Sequence, residues 1–147
     1  MNAALVEDEA ELVAIARDMR TVAVVGIKDD RDPDAPGFTV PEMMKAMGLR
    51  IIGINPTIAS ALGEPTLRSV ADLPAGVDVL DVFRRSDAIP ALTDEILALP
   101  PERRPAVVWL QSGIRDDASA ARLVKAGFRV VQDHCLGVYS RRARLHR

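Results

Sequence analysis

The sequence predicts an α/β fold, a doubly wound parallel sheet of five strands with helices on both faces. Three observations predict it. Apolar runs recur at Thr21–Val25, Arg50–Ile54, Val77–Phe83, Ala106–Leu110 and Phe128–Val131. They are continuous rather than alternating, as strands covered on both faces of a parallel sheet require. Helix-like stretches lie between most of them, which is the pattern of parallel crossovers. Finally, 147 residues at 48% hydrophobic content suit one core. No repeat, low-complexity tract or linker divides the chain, so one domain over residues 1–147 is expected.

Each element has its own signal. From Glu7 to Arg20, Leu12, Ile15, Ala16 and Met19 fall at helical spacing, with acidic residues early and Arg17 and Arg20 late, as the helix dipole favours. The first strand then runs into Gly26. A long loop, Lys28 to Gly37, is predicted from Asp29, Asp30, Arg31, Asp32, Pro33, Asp34 and Pro36, followed by a helix at Val40–Met47. The second strand ends in Asn55-Pro56. Ser69, with Asp72 three residues on, reads as the cap of a short helical turn to Leu73. Further helices are predicted at Ser86–Leu99 and Asp116–Ala126, the latter closed by Gly127.

Composition excludes several classes. A net charge of −2 and only five aromatic residues (one Trp, one Tyr, three Phe) fit neither a polyanion binder nor a stacking surface for single strands, so no nucleic-acid partner is expected. No apolar run approaches the ~18 residues of a membrane span, and Met1 to Glu11 is acidic rather than signal-like, so a cytoplasmic protein without a membrane partner is expected. One cysteine forbids an intramolecular disulfide, and two histidines offer no metal cluster of the usual spacing. Basic residues gather at Arg141, Arg142, Arg144, His146 and Arg147, as a solvated helix or tail or as a site for a phosphate or a partner. Edge strands and this segment are compatible with a homodimer or another protein partner.

In such sheets ligands bind beyond the carboxyl ends of the strands, where strand order reverses. That rule collects Gly26-Ile27-Lys28 with the loop to Thr39, Asn55-Pro56, Phe83-Arg84-Arg85, Gln111-Ser112-Gly113 and Asp133-His134-Cys135. A strand running through glycine into a helix presents backbone N–H groups to a pyrophosphate. An NAD site would need G-x-G-x-x-G and an acidic residue near the second strand's end, where Lys28 and Asn55 stand instead. An NAD(P)-linked oxidoreductase is therefore disfavoured. Arg84 and Arg85 suit a phosphate or form an ordinary surface pair. Gln111 offers an amide to a ligand or to backbone. Asp78 and Asp81, three apart on one strand, face opposite ways, and Asp81 is expected to bond backbone or a cation. Ser112 lacks the glycine of a nucleophile elbow, because Leu110 stands two residues before it. Cys135 beside His134 is a nucleophile activated by the neighbouring imidazole, a thiol open to redox capping, or a small packed residue at the strand end. Strand neighbours point apart, which favours packing.

The phrases Val24-Val25-Gly26, Gly53-Ile54-Asn55-Pro56, Leu62-Gly63, Val77-Asp78-Val79-Leu80-Asp81-Val82-Phe83-Arg84, Val108-Trp109-Leu110-Gln111-Ser112-Gly113-Ile114 and Asp133-His134-Cys135 occur in one order and spacing. Over about residues 10 to 142 the chain resembles the stand-alone CoA-binding domain family. The resemblance implies a Rossmann-like domain similar to the N-terminal part of the succinyl-CoA synthetase α subunit, with coenzyme A or an acyl-CoA as its small-molecule ligand. It assigns the pyrophosphate to Gly26, Ile27 and Lys28 with Phe38 and Thr39, the adenosine part to Asn55 and Pro56, and the ligand's flank to Val82, Phe83 and Arg84. Family members often carry a serine soon after the first glycine and a basic residue after the asparagine-proline. Here Lys28 and Thr57 stand near those places, so a cation for the 3′-phosphate would come from Lys28, Arg31, Arg84 or Arg85. No second ligase or nucleotide-grasp domain is expected, so the chain should bind rather than ligate. The alternative is an enzyme acting on a CoA thioester or nucleotide through Cys135 or Asp133.

Overall fold

The computed structural model describes residues 3–145 of the chain. Its elements run β1 (Ala4–Leu5), α1 (Glu9–Asp18), β2 (Thr21–Val25), α2 (Pro36–Ala46), β3 (Arg50–Ile54), β4 (Ser60–Ala61), β5 (Glu64–Pro65), β6 (Val79–Val82), α3 (Ile89–Leu97), β7 (Val107–Leu110), α4 (Asp117–Lys125), β8 (Arg129–Val131) and α5 (Leu136–Leu145). The main sheet has six parallel strands in the order β1-β8-β7-β6-β2-β3, not the expected five. The additional strand is β1, where Ala4 and Leu5 register with Arg129 and Val130. Two residues ahead of the first helix are too short for an apolar run to announce them.

Alternation along the strands divides the interior in two. Val22, Val24, Val79, Val107, Trp109 and Val131 face Leu12 of α1, Met44 of α2 and Tyr139 of α5. Val25, Leu80, Val82, Val108 and Leu110 face Leu92 and Ile96 of α3 and Leu123 of α4. Helices thus cover both faces, and every residue of β6 and β7 is buried, which is why those segments read as apolar runs broken only by Asp81. Trp109 satisfies its indole N–H by donating to the His134 carbonyl at 2.8 Å. At the amino end of the sheet, Asp78 Oδ2 accepts from the Arg20 and Thr21 N–H groups at 2.8 and 2.9 Å.

Capping follows the sequence closely in two helices. Asp8 caps α1 by accepting from the Glu11 N–H, and Asp116 caps α4 by accepting from the Ser119 N–H. Helix α2 differs, starting at Pro36 rather than Val40. Proline fits the first helical turn because its missing N–H has no partner there anyway, so the acidic, proline-rich loop is shorter than expected. The basic C-terminal segment is a helix docked by buried Leu136, Tyr139 and Ala143. Arg142 pairs with Glu9 at 2.8 Å, and Arg144 donates to the Ala16 carbonyl. His146 and Arg147 lie outside the described residues.

Strand order decides where a ligand can enter. From β2 the chain moves outward to β3, then returns across β2 to β6, β7 and β8. Order therefore reverses between β2 and β6, whose following loops splay to opposite faces. On the far side, the β4–β5 hairpin region closes the β3 edge: the Leu67 N–H donates to the Gly53 carbonyl and the Asn55 N–H to the Leu67 carbonyl.

Candidate functional site

A cleft of about 670 Å³ opens at this reversal point. Its walls are Gly26 and Lys28 after β2, Ala35 to Gly37 at the start of α2, Phe83 to Ser86 after β6, Gln111 to Ile114 after β7, and Cys135 before α5. Gly26 makes the close approach between its two sides. Its φ is +82°, and an added Cβ would stand 2.3 Å from the Phe83 carbonyl oxygen, so a side chain here would force the two loops apart.

The first loop is held by a feature of α2. Pro41 has no N–H, so the Gly37 carbonyl four residues earlier loses its helical donor. That carbonyl accepts the Lys28 N–H instead, at 3.0 Å. Gly37 also lies close beneath the loop, where an added Cβ would meet the Gly26 oxygen at 3.0 Å and Lys28 Cγ at 3.2 Å. The cap residue of α2 is Ala35, which offers no side-chain oxygen to the first turn. The helix thus brings an uncapped positive end to the cleft, next to two glycines that let the surrounding loops approach closely.

The cations divide into two groups. Lys28 and Arg84 are exposed and, among the described residues, enter no ion pair. Arg85 lines the cleft but pairs with Asp87 at 2.9 Å. Arg31 lies outside the lining and is bonded to Asp29, whose carboxyl the guanidinium holds below the usual carboxylate range.

The other sequence-derived candidates are placed as follows. Ile27 and Val82 have buried side chains, so they can offer a ligand only backbone. Phe38 and Thr39 lie in the first turns of α2, half-buried and exposed, outside the cleft lining. Asn55 is buried: its Nδ2 donates to the Ile27 carbonyl at 2.8 Å, and its Oδ1 accepts from the N–H and hydroxyl of Thr57 at 2.8 and 2.7 Å. Pro56 beside it is exposed and also outside the lining.

Asp81 bonds neither backbone nor a cation, contrary to the sequence expectation. It is fully buried, and Gln111 Nε2 donates to its Oδ1 at 2.7 Å while Oδ2 has no partner. Burial pushes its carboxyl up to about 8, opposed by the Gln111 hydrogen bond, so it is largely protonated at neutral pH.

Asp133 has φ +58°, and its Oδ1 accepts the Gly113 N–H at 2.6 Å, so it shapes the turn after β7. The His134 ring packs edge-on against Tyr139 at 5.6 Å, and Cys135 is half-buried at the cleft wall. Ala35, Pro36 and Gly37 line the cleft within the loop to Thr39 that the sequence collects, whereas Ser86 and Ile114 are lining residues that sequence reading missed. Ser86 accepts the Arg115 N–H at 3.0 Å, tying the β6 and β7 loops together. Among the described residues, no group of three or more His, Cys, Asp or Glu side chains could hold a metal ion, and no helix is long and apolar enough to cross a membrane.

A six-stranded parallel α/β sheet, covered by helices on both faces and with an uncapped helix end at its reversal point, defines a Rossmann-like domain. The chain belongs to the CoA binding domain family, whose profile matches residues 20–141. It is 33% identical over 130 residues to the uncharacterized protein YneT of Bacillus subtilis (strain 168), covering 88% of this chain and 92% of that protein. The structure of the protein cell-free ID.343 from Thermus thermophilus superposes with a TM-score of 0.83 at 37% identity, covering 93% of this chain and 99% of the other. A hypothetical protein from Pyrococcus horikoshii OT3 shares the fold, with a TM-score of 0.80 at 20% identity and coverage of 93% and 92%.

Proposed function

We propose that this chain is a non-catalytic, cytoplasmic single-domain protein that binds CoA or an acyl-CoA at the carboxyl edge of its sheet. The observation that carries the reading is the cleft between the β2 and β6 loops, where the uncapped α2 terminus, Gly26 and Gly37 meet the free cations Lys28 and Arg84. The pyrophosphate would lie over Gly26, Ile27 and Lys28, using backbone N–H groups where the side chain is buried. Arg84, with Arg85 or Lys28, would read the 3′-phosphate. Phe83 and Gln111 would flank the pantetheine arm, beside the backbone of Val82. Asn55 and Pro56, with Phe38, Thr39 and Arg31, would lie at the rim toward the adenosine, Asn55 acting chiefly by fixing the loop.

On this reading the chain would act as a nucleotide-binding module similar to the corresponding part of succinyl-CoA synthetase. A thermal-shift series with CoA, dephospho-CoA, ADP and NAD at equal concentration tests it. A ligand at 100 times its Kd stabilises by about 2.7 kcal/mol. CoA should shift the transition more than dephospho-CoA, and NAD should not shift it; no shift by CoA would refute the reading.

One observation supports an enzymatic alternative: the Cys135 thiol stands at the same cleft wall. Asp133 already holds the Gly113 N–H, so the thiol would act without it. Loss of a CoA-thioester turnover on Cys135→Ala, with CoA binding retained, would establish that alternative.

A further inference from the structure

Beneath the cleft lies a polar pair that neither the phosphate cradle nor the sheet requires. Asp81 sits in the middle layer of the sheet, with Val24 and Trp109 as its strand partners on either side. Gln111 is only 4% exposed, yet it lines the cleft. Its Nε2 is spent on Asp81. Among the described residues, its Oε1 accepts no hydrogen bond and is not sealed from solvent. One end of the amide is therefore fixed in the core, and the other forms part of the cleft floor.

Two bonding patterns suit this pair. An ionised Asp81 only accepts, so Nε2–H must face it and Oε1 is left to the cleft. A protonated Asp81 has a hydroxyl, and in the Nε2-to-Oδ1 arrangement that hydroxyl would be a buried donor without a partner, since Oδ2 contacts none. Half a turn of the amide removes the problem: the Asp81 O–H donates to Oε1, and Nε2–H faces the cleft. The change takes up or releases one proton, exchanged with solvent. Burial raises Asp81 to about 8, so both states lie within reach of neutral pH.

We propose that Asp81 and Gln111 form a proton-dependent selector on the cleft floor, Gln111 offering the ligand an acceptor when Asp81 is ionised and a donor when it is protonated. The proposal rests on the CoA-binding reading for the identity of the ligand; an amide or hydroxyl group such as those of CoA can answer either state. Gln111 touches the ligand, and Asp81 is a positioning residue that acts through it. The titratable and charged groups on the elements around the pair are engaged elsewhere, exposed to solvent, or belong to the cleft: on α2, Glu42 is exposed and Lys45 donates to the Leu62 carbonyl. Glu9 of α1 bonds Tyr139 and Arg142 of α5, His134 packs on Tyr139, and Lys28 and Cys135 stand at the cleft wall.

The test follows the Gln111 side-chain amide by ¹⁵N-resolved NMR in the ligand-free protein from pH 6 to 9.5, its signals identified by their loss in Gln111→Leu. The selector predicts one titration with a midpoint near 8, absent in Asp81→Asn. Calorimetry with CoA over the same range should show a Kd that changes about three- to tenfold through that midpoint in the native protein. The change should vanish in Asp81→Asn, while Gln111→Leu should bind more weakly at every pH. Titrations of CoA itself are common to all variants and cancel. A Gln111 amide that does not titrate, or a Kd profile unchanged by Asp81→Asn, would overturn the proposal. If Gln111 titrates with Asp81 but CoA gives no heat, the selector stands and the CoA assignment fails. Should Asp81→Asn not fold, the Asp81 carboxyl ¹³C shift in the native protein replaces it: a midpoint shared with Gln111 supports the pair, and ionisation throughout overturns it.

Discussion

The loop after β3 and the loop after β6 both stand at the carboxyl edge, and both carry residues suited to a ligand. The structure treats them differently. After β3, Asn55 commits its amide nitrogen to Ile27 and its oxygen to Thr57, and the Leu67 strap covers the strand's outer edge. After β6, Arg84 has no ion-pair partner among the described residues, and the main chain passes within 2.3 Å of where a Gly26 Cβ would be. Polar capacity is consumed where the chain folds back on its own sheet edge and left open where strand order reverses. A residue's type marks it as a candidate, and its bonding decides whether it holds the ligand or the loop.

Four substitutions break or sharpen that contrast. Gly26→Ala should have the largest effect, since it combines a left-handed backbone with a collision against backbone. A loss of about 3 kcal/mol in urea unfolding is expected, with CoA binding abolished. Next comes the acid beneath the β6 loop. Asp81 is raised in the folded state from 3.8 to about 8, so between those values the folded protein holds a proton that the unfolded chain has lost. Native stability should therefore fall as pH rises through this window, by about 1.4 kcal/mol per unit or about 2 to 3 kcal/mol from pH 5 to 7, and level off above 8. Asp81→Asn should flatten that slope, read as Tm against pH.

Asn55→Ala should cost about 2 kcal/mol, because it strips a buried carbonyl and an N–H of their partners, while the folded protein's affinity for CoA should change less than it does on loss of Arg84. Arg84→Ala should do the reverse. Its stability should stay within about 0.5 kcal/mol of native, and its CoA affinity should drop about tenfold, less at high salt. Equal effects of these last two on stability and affinity would erase the distinction between the loops.

Much of this was legible in the sequence because strands buried on both faces leave continuous apolar runs. The five longest strands were placed within a residue or two for that reason. Strand β1 was not, since Ala4 and Leu5 gain their strand character only from pairing with β8. The start of α2 was misplaced because a proline-rich acidic stretch reads as loop, although Pro36 at a first turn also starts helices. The convergence of Gly26, Phe83 and Gln111 followed from the reversal rule. What side chains had already been given to did not: the Asn55 and Asp81 partners are 28 and 30 residues distant in sequence and are set by packing.

The central claim, that CoA is held between the β2 and β6 loops, is tested most directly by calorimetric titration of CoA into the native protein and a Lys28→Ala/Arg84→Ala variant. The account predicts saturable one-to-one binding by the native protein and affinity at least about tenfold lower in the variant, with Tm nearly unchanged. Absence of heat from the native protein, or equal affinity in both, would contradict it.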